Sequence, residues 1–231
     1  LMATNRSVGA TGTGSNQAYG VDGTFSFFEN LNVGAYWART ASTGVRGDDQ
    51  SYQGRLDYNA DRYGARAELT SVGSNFRPDV GFTRRLDFRR SFAELRFSPR
   101  PAHSKTIRKY TWSASGDNIV NGAGSLDSRI LLGHFGAEFE NSDLISVDVT
   151  HDYEMLRQSF TPAGSPTAIT PGDYTFTDVA ASYAFGSQRR ASGSITVRAG
   201  DYYNGTIRSV TVGPGAMSPG RVSVLKQLSV E

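Results

Sequence analysis

Gly54-Arg55-Leu56-Asp57-Tyr58-Asn59-Ala60-Asp61-Arg62-Tyr63-Gly64-Ala65-Arg66-Ala67-Glu68-Leu69-Thr70 carries the pattern that decides the fold. Leu56, Tyr58 and Ala60 alternate with Arg55, Asp57 and Asn59. Beyond Asp61-Arg62, Ala65, Ala67 and Leu69 alternate with Arg66, Glu68 and Thr70. A side-chain period of two belongs to a strand with one apolar and one polar face. If Asp61-Arg62 is the turn, Arg55 faces Glu68 and Asp57 faces Arg66, while Leu56 faces Ala67 and Tyr58 faces Ala65. Opposite charges directly across an antiparallel pair stabilise it by about 0.2–1 kcal/mol each. Asp-Arg is not a favoured tight-turn pair, so the expected register rests on charge and alternation.

The same grammar recurs along most of the chain, and helical periodicity competes nowhere over a useful length. Leu31, Val33, Ala35 and Trp37 share a face, as do Ala93, Leu95 and Phe97 against Glu94 and Arg96. Tyr110, Trp112 and Ala114 follow, then Leu131, Phe135, Ala137 and Phe139 opposite His134 and Glu138. Ile145, Val147 and Val149 alternate with Ser146, Asp148 and Thr150. Val179, Ala181, Tyr183 and Phe185 precede Ile195, Val197 and Ala199, the last set against Arg198. Val210 and Val212, then Val222, Val224, Leu228 and Val230, close the series. This predicts about thirteen strands, many near the ~9–11 residues of a tilted membrane strand.

Composition agrees. Hydrophobic residues make up 38% of 231 residues, below the usual soluble share, yet aromatics reach 11%. Disordered chains lack aromatics. A chain poor in aliphatics and rich in Tyr, Phe, Gly, Ser and Thr suits a barrel with a polar interior, which needs apolar side chains only on its outer face. There is no cysteine, so disulfides and Cys-based metal sites are excluded. No apolar run approaches the ~20 residues of a membrane helix, so any membrane crossing falls to strands. The net charge of +2 gives no case for nucleic acid.

Connections are expected to alternate in length. Short turns fall near Glu29-Asn30, Asp61-Arg62, Asn141-Ser142 and Ser187–Arg190; longer Gly-, Ser- and Pro-rich segments span Gly9–Ala18, Ser42–Gln50, Gly73–Arg85, Asn121–Asp127 and Thr161–Gly172. Short periplasmic turns and longer extracellular loops characterise outer-membrane barrels. Soluble sandwiches share the residue alternation without a reason to alternate loop lengths. Charges of both signs populate the polar faces, where a lumen can pair or hydrate them. On a lipid face Arg or Lys costs about 2–4 kcal/mol at mid-membrane.

Asn75-Phe76-Arg77-Pro78-Asp79-Val80-Gly81-Phe82-Thr83-Arg84-Arg85-Leu86-Asp87-Phe88-Arg89 resembles a segment of one bacterial family. Leu1-Met2-Ala3-Thr4-Asn5-Arg6 and Gly200-Asp201-Tyr202-Tyr203-Asn204-Gly205 look like two further landmarks of it, in the same order. Its members join an N-terminal domain similar to family-nine carbohydrate-binding modules to a C-terminal outer-membrane barrel of unassigned function. The resemblance covers essentially the whole chain and implies that all of it is barrel. The binding module is not among these residues, so its carbohydrate role transfers to none of them, and the resemblance supplies no catalytic residue. Leu1 is not an initiator, the strand count is odd and Glu231 ends a run that reads as strand. Further residues are therefore expected at both ends.

Chemistry-bearing motifs are sparse. His103, His134 and His151 stand on separate segments, and HExxH, Walker and GxSxG patterns are absent from the sequence. Gly12-Thr13-Gly14 and Gly213-Pro214-Gly215 read as turn punctuation. His151 with a neighbouring serine imitates an outer-membrane lipase pair, but no spacing singles out a serine, so His151-Asp152 is read instead as an interface marker at a strand end. Asp48-Asp49 and Asp201 lack the spacing of a calcium loop. The distinctive segment holds Arg77, Arg84, Arg85, Arg89 and Arg90 around Phe76, Phe82 and Phe88. At an extracellular rim it would pair with lipopolysaccharide phosphates; folded inward it would form a cationic constriction for anionic solutes. The bland alternative is pairing with lumenal carboxylates such as Glu68 and Glu94.

The expected fold is therefore an all-β, antiparallel, up-and-down transmembrane β-barrel, a single domain over residues 1–231 truncated at both ends. The expected role is a scaffold or passage in the bacterial outer membrane for a carbohydrate-binding protein, serving saccharide binding or uptake. Lumen or anion-contact candidates are Arg77, Arg84, Arg85, Arg89, Arg90, Arg55, Asp57, Arg66 and Glu68. Expected partners are outer-membrane lipid and lipopolysaccharide, with carbohydrate reached through the N-terminal domain; no cofactor, metal or nucleic acid is expected. A soluble lectin-like β-sheet module and an outer-membrane hydrolase are the alternatives.

Overall fold

The computed structural model describes residues 1–6, 14–81, 83, 85–162, 167–189, 192–213 and 226–229. Within them run thirteen strands and no helix: β1 (Met2–Arg6), β2 (Asn16–Phe27), β3 (Leu31–Ser42), β4 (Gln50–Asn59), β5 (Tyr63–Val72), β6 (Phe88–Phe97) and β7 (Ile107–Asn121), then β8 (Leu126–Phe139), β9 (Leu144–Leu156), β10 (Gly172–Phe185), β11 (Gly193–Tyr202), β12 (Gly205–Gly213) and β13 (Lys226–Ser229). They form one antiparallel up-and-down sheet whose spatial order is the chain order, β1 to β13. Val222, Val224 and Val230 lie outside the described residues.

The deciding hairpin has the register that its charges dictate. Arg55 pairs with Glu68, Leu56 with Ala67, Asp57 with Arg66 and Tyr58 with Ala65. A one-residue slip would put Arg and Glu among Leu and Tyr, which is why alternation this strict pins the pairing. The turn is longer than Asp61-Arg62, because the ladder ends at the pair Asn59–Gly64.

The connections depart from the expected alternation. Even-to-odd connections 28–30 and 60–62 are short and odd-to-even connections 43–49 and 73–87 are longer, as expected. After β6 the rule blurs. The even-to-odd connection 98–106 is long, whereas 122–125 and 203–204, both odd-to-even, are tight. Asn121 and Leu126–Asp127, read as loop, are strand: the Asn121 amide closes on the Ser125 carbonyl at 2.9 Å, and Gly124 supplies the left-handed φ of 83°. Loop length therefore does not separate a membrane barrel from a sandwich here.

Burial does bear on that choice. Two units divide the chain. One comprises Leu1–Ala60, Gly64–Glu94 and Asp117–Ser128, the other Asp61–Tyr63, Leu95–Gly116 and Arg129–Glu231. In the first unit the buried residues are mostly polar: Asn16, Thr40, Asp49, Ser51, Glu68 and Asp127. Tyr19, Val21, Phe25, Phe27, Trp37, Tyr52, Leu56, Tyr58 and Leu69 are each more than a third exposed. The registers place all nine on one face of β2–β5, with Asn16, Thr40, Ser51, Arg55, Asp57, Arg66 and Glu68 on the other. The second unit repeats the inversion. Ser98, Asp143 and Asp178 are buried, while Leu95, Trp112, Leu131, Val149, Val179, Ile195, Val197, Val210 and Val212 are exposed. Buried hydrophobics in the described chain reduce to Val72, Ala137, Ile169 and Phe176.

Candidate functional site: the charged polar face

On the polar face of the first unit, Glu68 is the hub. It is 8% exposed and accepts from Arg90 Nη1 at 2.9 Å, with Arg66 Nη2 at 3.7 Å. Arg90 turns its other edge to Asp117, where Nε reaches Oδ1 at 2.9 Å and Nη2 reaches Oδ2 at 2.7 Å. Only a planar fork with five donors can serve two carboxylates this way. The Phe92 ring lies 5.4 Å from the Arg66 guanidinium and 5.6 Å from that of Arg90, adding cation–π support. Gln53 donates to Thr70 Oγ1 at 3.1 Å, continuing the polar ladder across β4 and β5.

Strand alternation separates the arginines that the sequence groups together. Along β6, Phe88, Arg90, Phe92 and Glu94 are half-buried, and Arg89, Ser91, Ala93 and Leu95 are exposed. Arg89 thus lies on the face opposite Arg90. Arg85 pairs with the buried Asp127 and lies 5.7 Å from the Phe88 ring. Arg84 lies outside the described residues.

Arg77 is held by its backbone. Its amide donates to Thr40 Oγ1 at 3.0 Å and its carbonyl accepts from Asn16 Nδ2 at 2.8 Å. The Asp79 amide donates to Asn16 Oδ1 at 3.2 Å, and Thr40 Oγ1 donates to the Asn75 carbonyl at 3.3 Å. Asn16 and Thr40, 3% and 1% exposed, project from the polar face and bind one short segment. Asp79 also pairs with Arg6. A cleft of about 180 Å³ beside them is lined by Phe76, Arg77, Pro78, Asp79, Thr83 and Leu86.

The second unit carries its own network. On its polar face Arg198 forks onto Asp178 with both bonds at 2.6 Å, and His134 Nδ1 meets Asp148 Oδ1 at 2.6 Å. Arg108 reaches Glu138 at 2.8 Å. Tyr203, in the β11–β12 turn, donates to Glu154 and sits among Phe160, Tyr174, Phe176 and Tyr202. Burial, then this hydrogen bond to the carboxylate, pushes the Tyr203 phenol well above its usual range. Asp143, 1% exposed, ties the β8–β9 turn to the β10–β11 connection by accepting from Tyr183, from the Gly186 amide at 2.8 Å and from Arg189. Those donors hold its carboxyl below the usual range, Tyr183 first, then Gly186 and Arg189, against the opposing effect of desolvation. Across the β9–β10 ladder His151 meets Thr177, a threonine rather than a serine, at 2.8 Å.

Alternation in the sequence places Glu138, Asp148 and Arg198 on polar faces, marks neither Asp143 nor Asp178, and includes Tyr203 only within the 200–205 landmark, with no role. Asp178 was detectable in principle, since alternation through Ala180, Ser182 and Ala184 sets it against Val179 and Ala181. Comparison of the chain with protein-family models, curated proteins and solved structures gives no match.

Proposed function

We propose that the chain is the membrane-spanning sheet of a bacterial outer-membrane β-barrel, acting as a scaffold or passage that holds a carbohydrate-binding domain at that membrane. The observation that carries the reading is the inverted burial. Water-soluble monomers rarely leave apolar patches beyond a few hundred Å² uncovered, and β2–β5 present nine large apolar side chains side by side. Lipid accepts such a face; the Arg, Asp and Glu of the opposite face suit a hydrated interior.

The apolar band has edges. In the first unit Tyr19, Trp37 and Tyr52 meet across β2–β4, with Tyr19 and Trp37 rings 5.9 Å apart, and Gln17, Arg39, Gln50 and Ser71 follow beyond them. Phe25, Phe27 and Tyr58 occupy the other edge. From Tyr19 to Phe27 the strand covers ~27 Å at about 3.4 Å per residue, near the ~25 Å band flanked by aromatic girdles in such barrels. In the second unit the face runs Ile145, Val147, Val149 on β9 and turns polar at His151 opposite Thr177. An open sheet edge is not tolerated in lipid, so the reading requires the outer edges of β1 and β13 to be paired. The resemblance of 1–6, 75–89 and 200–205 to the carbohydrate-associated barrel family supports the remainder of the reading.

The test is heat-modifiability of the full protein from fractionated membranes, run boiled and unboiled on SDS gels. The expected result is a mobility shift in the outer-membrane fraction. Recovery in the soluble fraction without a shift overturns the reading in favour of a soluble binding module.

A further inference from the structure

We infer that residues 75–79 form an internal constriction laid across the polar face of β2 and β3, and that Arg77 is its charge-selecting element, favouring small anions over cations. The inference rests on the passage reading above and specifies it.

The placement follows from which atoms hold the segment. Asn16 and Thr40 alternate with Gln17, Tyr19, Trp37 and Arg39 of the apolar face, so their side chains leave the sheet on the polar side. Both end on the backbone of the same segment: Asn16 on the Arg77 carbonyl and Asp79 amide, Thr40 on the Arg77 amide and Asn75 carbonyl. The Asn16 carboxamide thereby offers one donor and one acceptor in the manner of a strand's peptide group. Four bonds fix the segment against the polar face at the end of the sheet where β2 begins and β3 finishes. The segment is what covers Asn16 and Thr40, whose exposures fall to 3% and 1%. Its foot is pinned as well. The Gly73 amide donates to the Gln50 carbonyl and the Asn75 amide to the Asp48 carbonyl, both at 2.9 Å.

The charge follows from what is already paired. Asp79 is matched by Arg6, Arg85 by Asp127, and Arg90 by Glu68 and Asp117. Arg77 is exposed and has no carboxylate partner among the described residues. Asp22 and Asp57 face the same side, but Asp22 stands six positions along β2 from Asn16, ~20 Å at about 3.4 Å per residue, well past a Debye length of about 8 Å. Asp48, in the 43–49 connection, takes a hydrogen bond from Ser74 Oγ at 3.1 Å. On the segment itself Arg77 is therefore the charge left without an opposite partner among the described residues, and on the passage reading it stands beside the solute's path, as in the cationic rings that select anions.

The experiment uses the full protein in planar bilayers under a potassium chloride gradient, with a parallel thiol assay. Expected are a small conductance with chloride preference, a several-fold larger conductance for N16A/T40A, and a reversal potential displaced towards potassium by Arg77→Glu at unchanged unit conductance. A reversal potential indifferent to Arg77→Glu overturns the selectivity, and a conductance unaltered by N16A/T40A overturns the constriction. These 231 residues hold no cysteine, so Thr40→Cys, placed in a full protein cleared of any other thiol, reports the segment directly. It should react slowly with a water-soluble maleimide, and faster once Asn16→Ala is added. Fast reaction with Asn16 intact overturns the placement. Failure to insert or to show a heat-shifted band sinks the membrane reading instead, and the thiol assay still decides where the segment lies.

Discussion

Arg55 stands directly across the β4–β5 ladder from Glu68, yet the Glu68 carboxylate is bound by Arg90 of β6, 2.9 Å away. The charges that set a hairpin's register need not be those that hold its side chains. Arg90 wins because it approaches Glu68 edge-on while binding Asp117 with its other edge, and Phe92 supports its plane. Replacing Arg90 by Ala should destabilise the protein by about 1–3 kcal/mol, less than the ~3–5 kcal/mol of a fully buried pair because the side chain is partly exposed. Arg90→Lys should recover only part of this, and Arg55→Ala should cost little. Urea unfolding in lipid vesicles, followed by tryptophan fluorescence, measures all three.

Leu69 pairs with Gly54, between the Tyr52 and Tyr58 edges of the apolar band. Leu69→Arg should cost about 2–4 kcal/mol if that face meets lipid, and near nothing if it meets water. The fraction of protein that refolds into vesicles, scored by the unboiled band, separates the two. An unaffected yield would count against the lipid assignment.

Asp143 makes stability fall in acid. Its folded-state carboxyl titrates below the ordinary range, so the stabilisation is complete above the unfolded value of about 3.9 and disappears as pH falls through the lowered folded value. Asp143→Asn should be less stable at neutral pH and should flatten the acid limb of the stability profile below about pH 4. Equilibrium unfolding at pH 7 and across the acid limb measures both; a parallel downward shift at every pH would contradict the assignment.

Gly73 lies where a Cβ would come within 2.1 Å of the Asp48 carbonyl oxygen, a backbone atom without a flexible escape. Gly73→Ala should destabilise by about 1–3 kcal/mol through overpacking and should loosen the 75–79 segment. In a Thr40→Cys background, the same substitution should speed thiol labelling. Unchanged labelling would show that the foot of the segment does not set its position.

The strands were legible because each needs only its own residues: alternation marks a half-buried strand whatever surrounds it. The β4–β5 pairing was legible too, since two opposite-charge pairs and two apolar pairs agree on one register. The side-chain network was not. Glu68 selects Arg90 through the placement of β6 against β5, which follows a long connection and leaves no mark on local pattern. The 122–125 and 203–204 turns were misjudged or missed for a related reason. Gly122 and Gly124 suggest a loose loop by composition, but glycine also serves a tight turn through left-handed φ, as at Gly124. Arg89 and Arg90 show the opposite case, where strict alternation sends adjacent, identical residues to different faces.

The inverted burial also inverts what substitution can reach. In a water-soluble domain the aliphatic interior is the guarded inheritance and the polar exterior drifts. If the apolar face meets lipid, Val, Leu, Ile and Phe along β2–β5 and β9–β12 are interchangeable as long as they remain greasy, whereas Asn16, Thr40, Glu68, Asp143 and Asp178 answer to fixed donors and acceptors and have few substitutes. Descendants of this chain would keep their scattered polar residues while rewriting the hydrophobic ones between them, and their kinship would survive in a thin lattice of Asn, Thr, Asp and Glu.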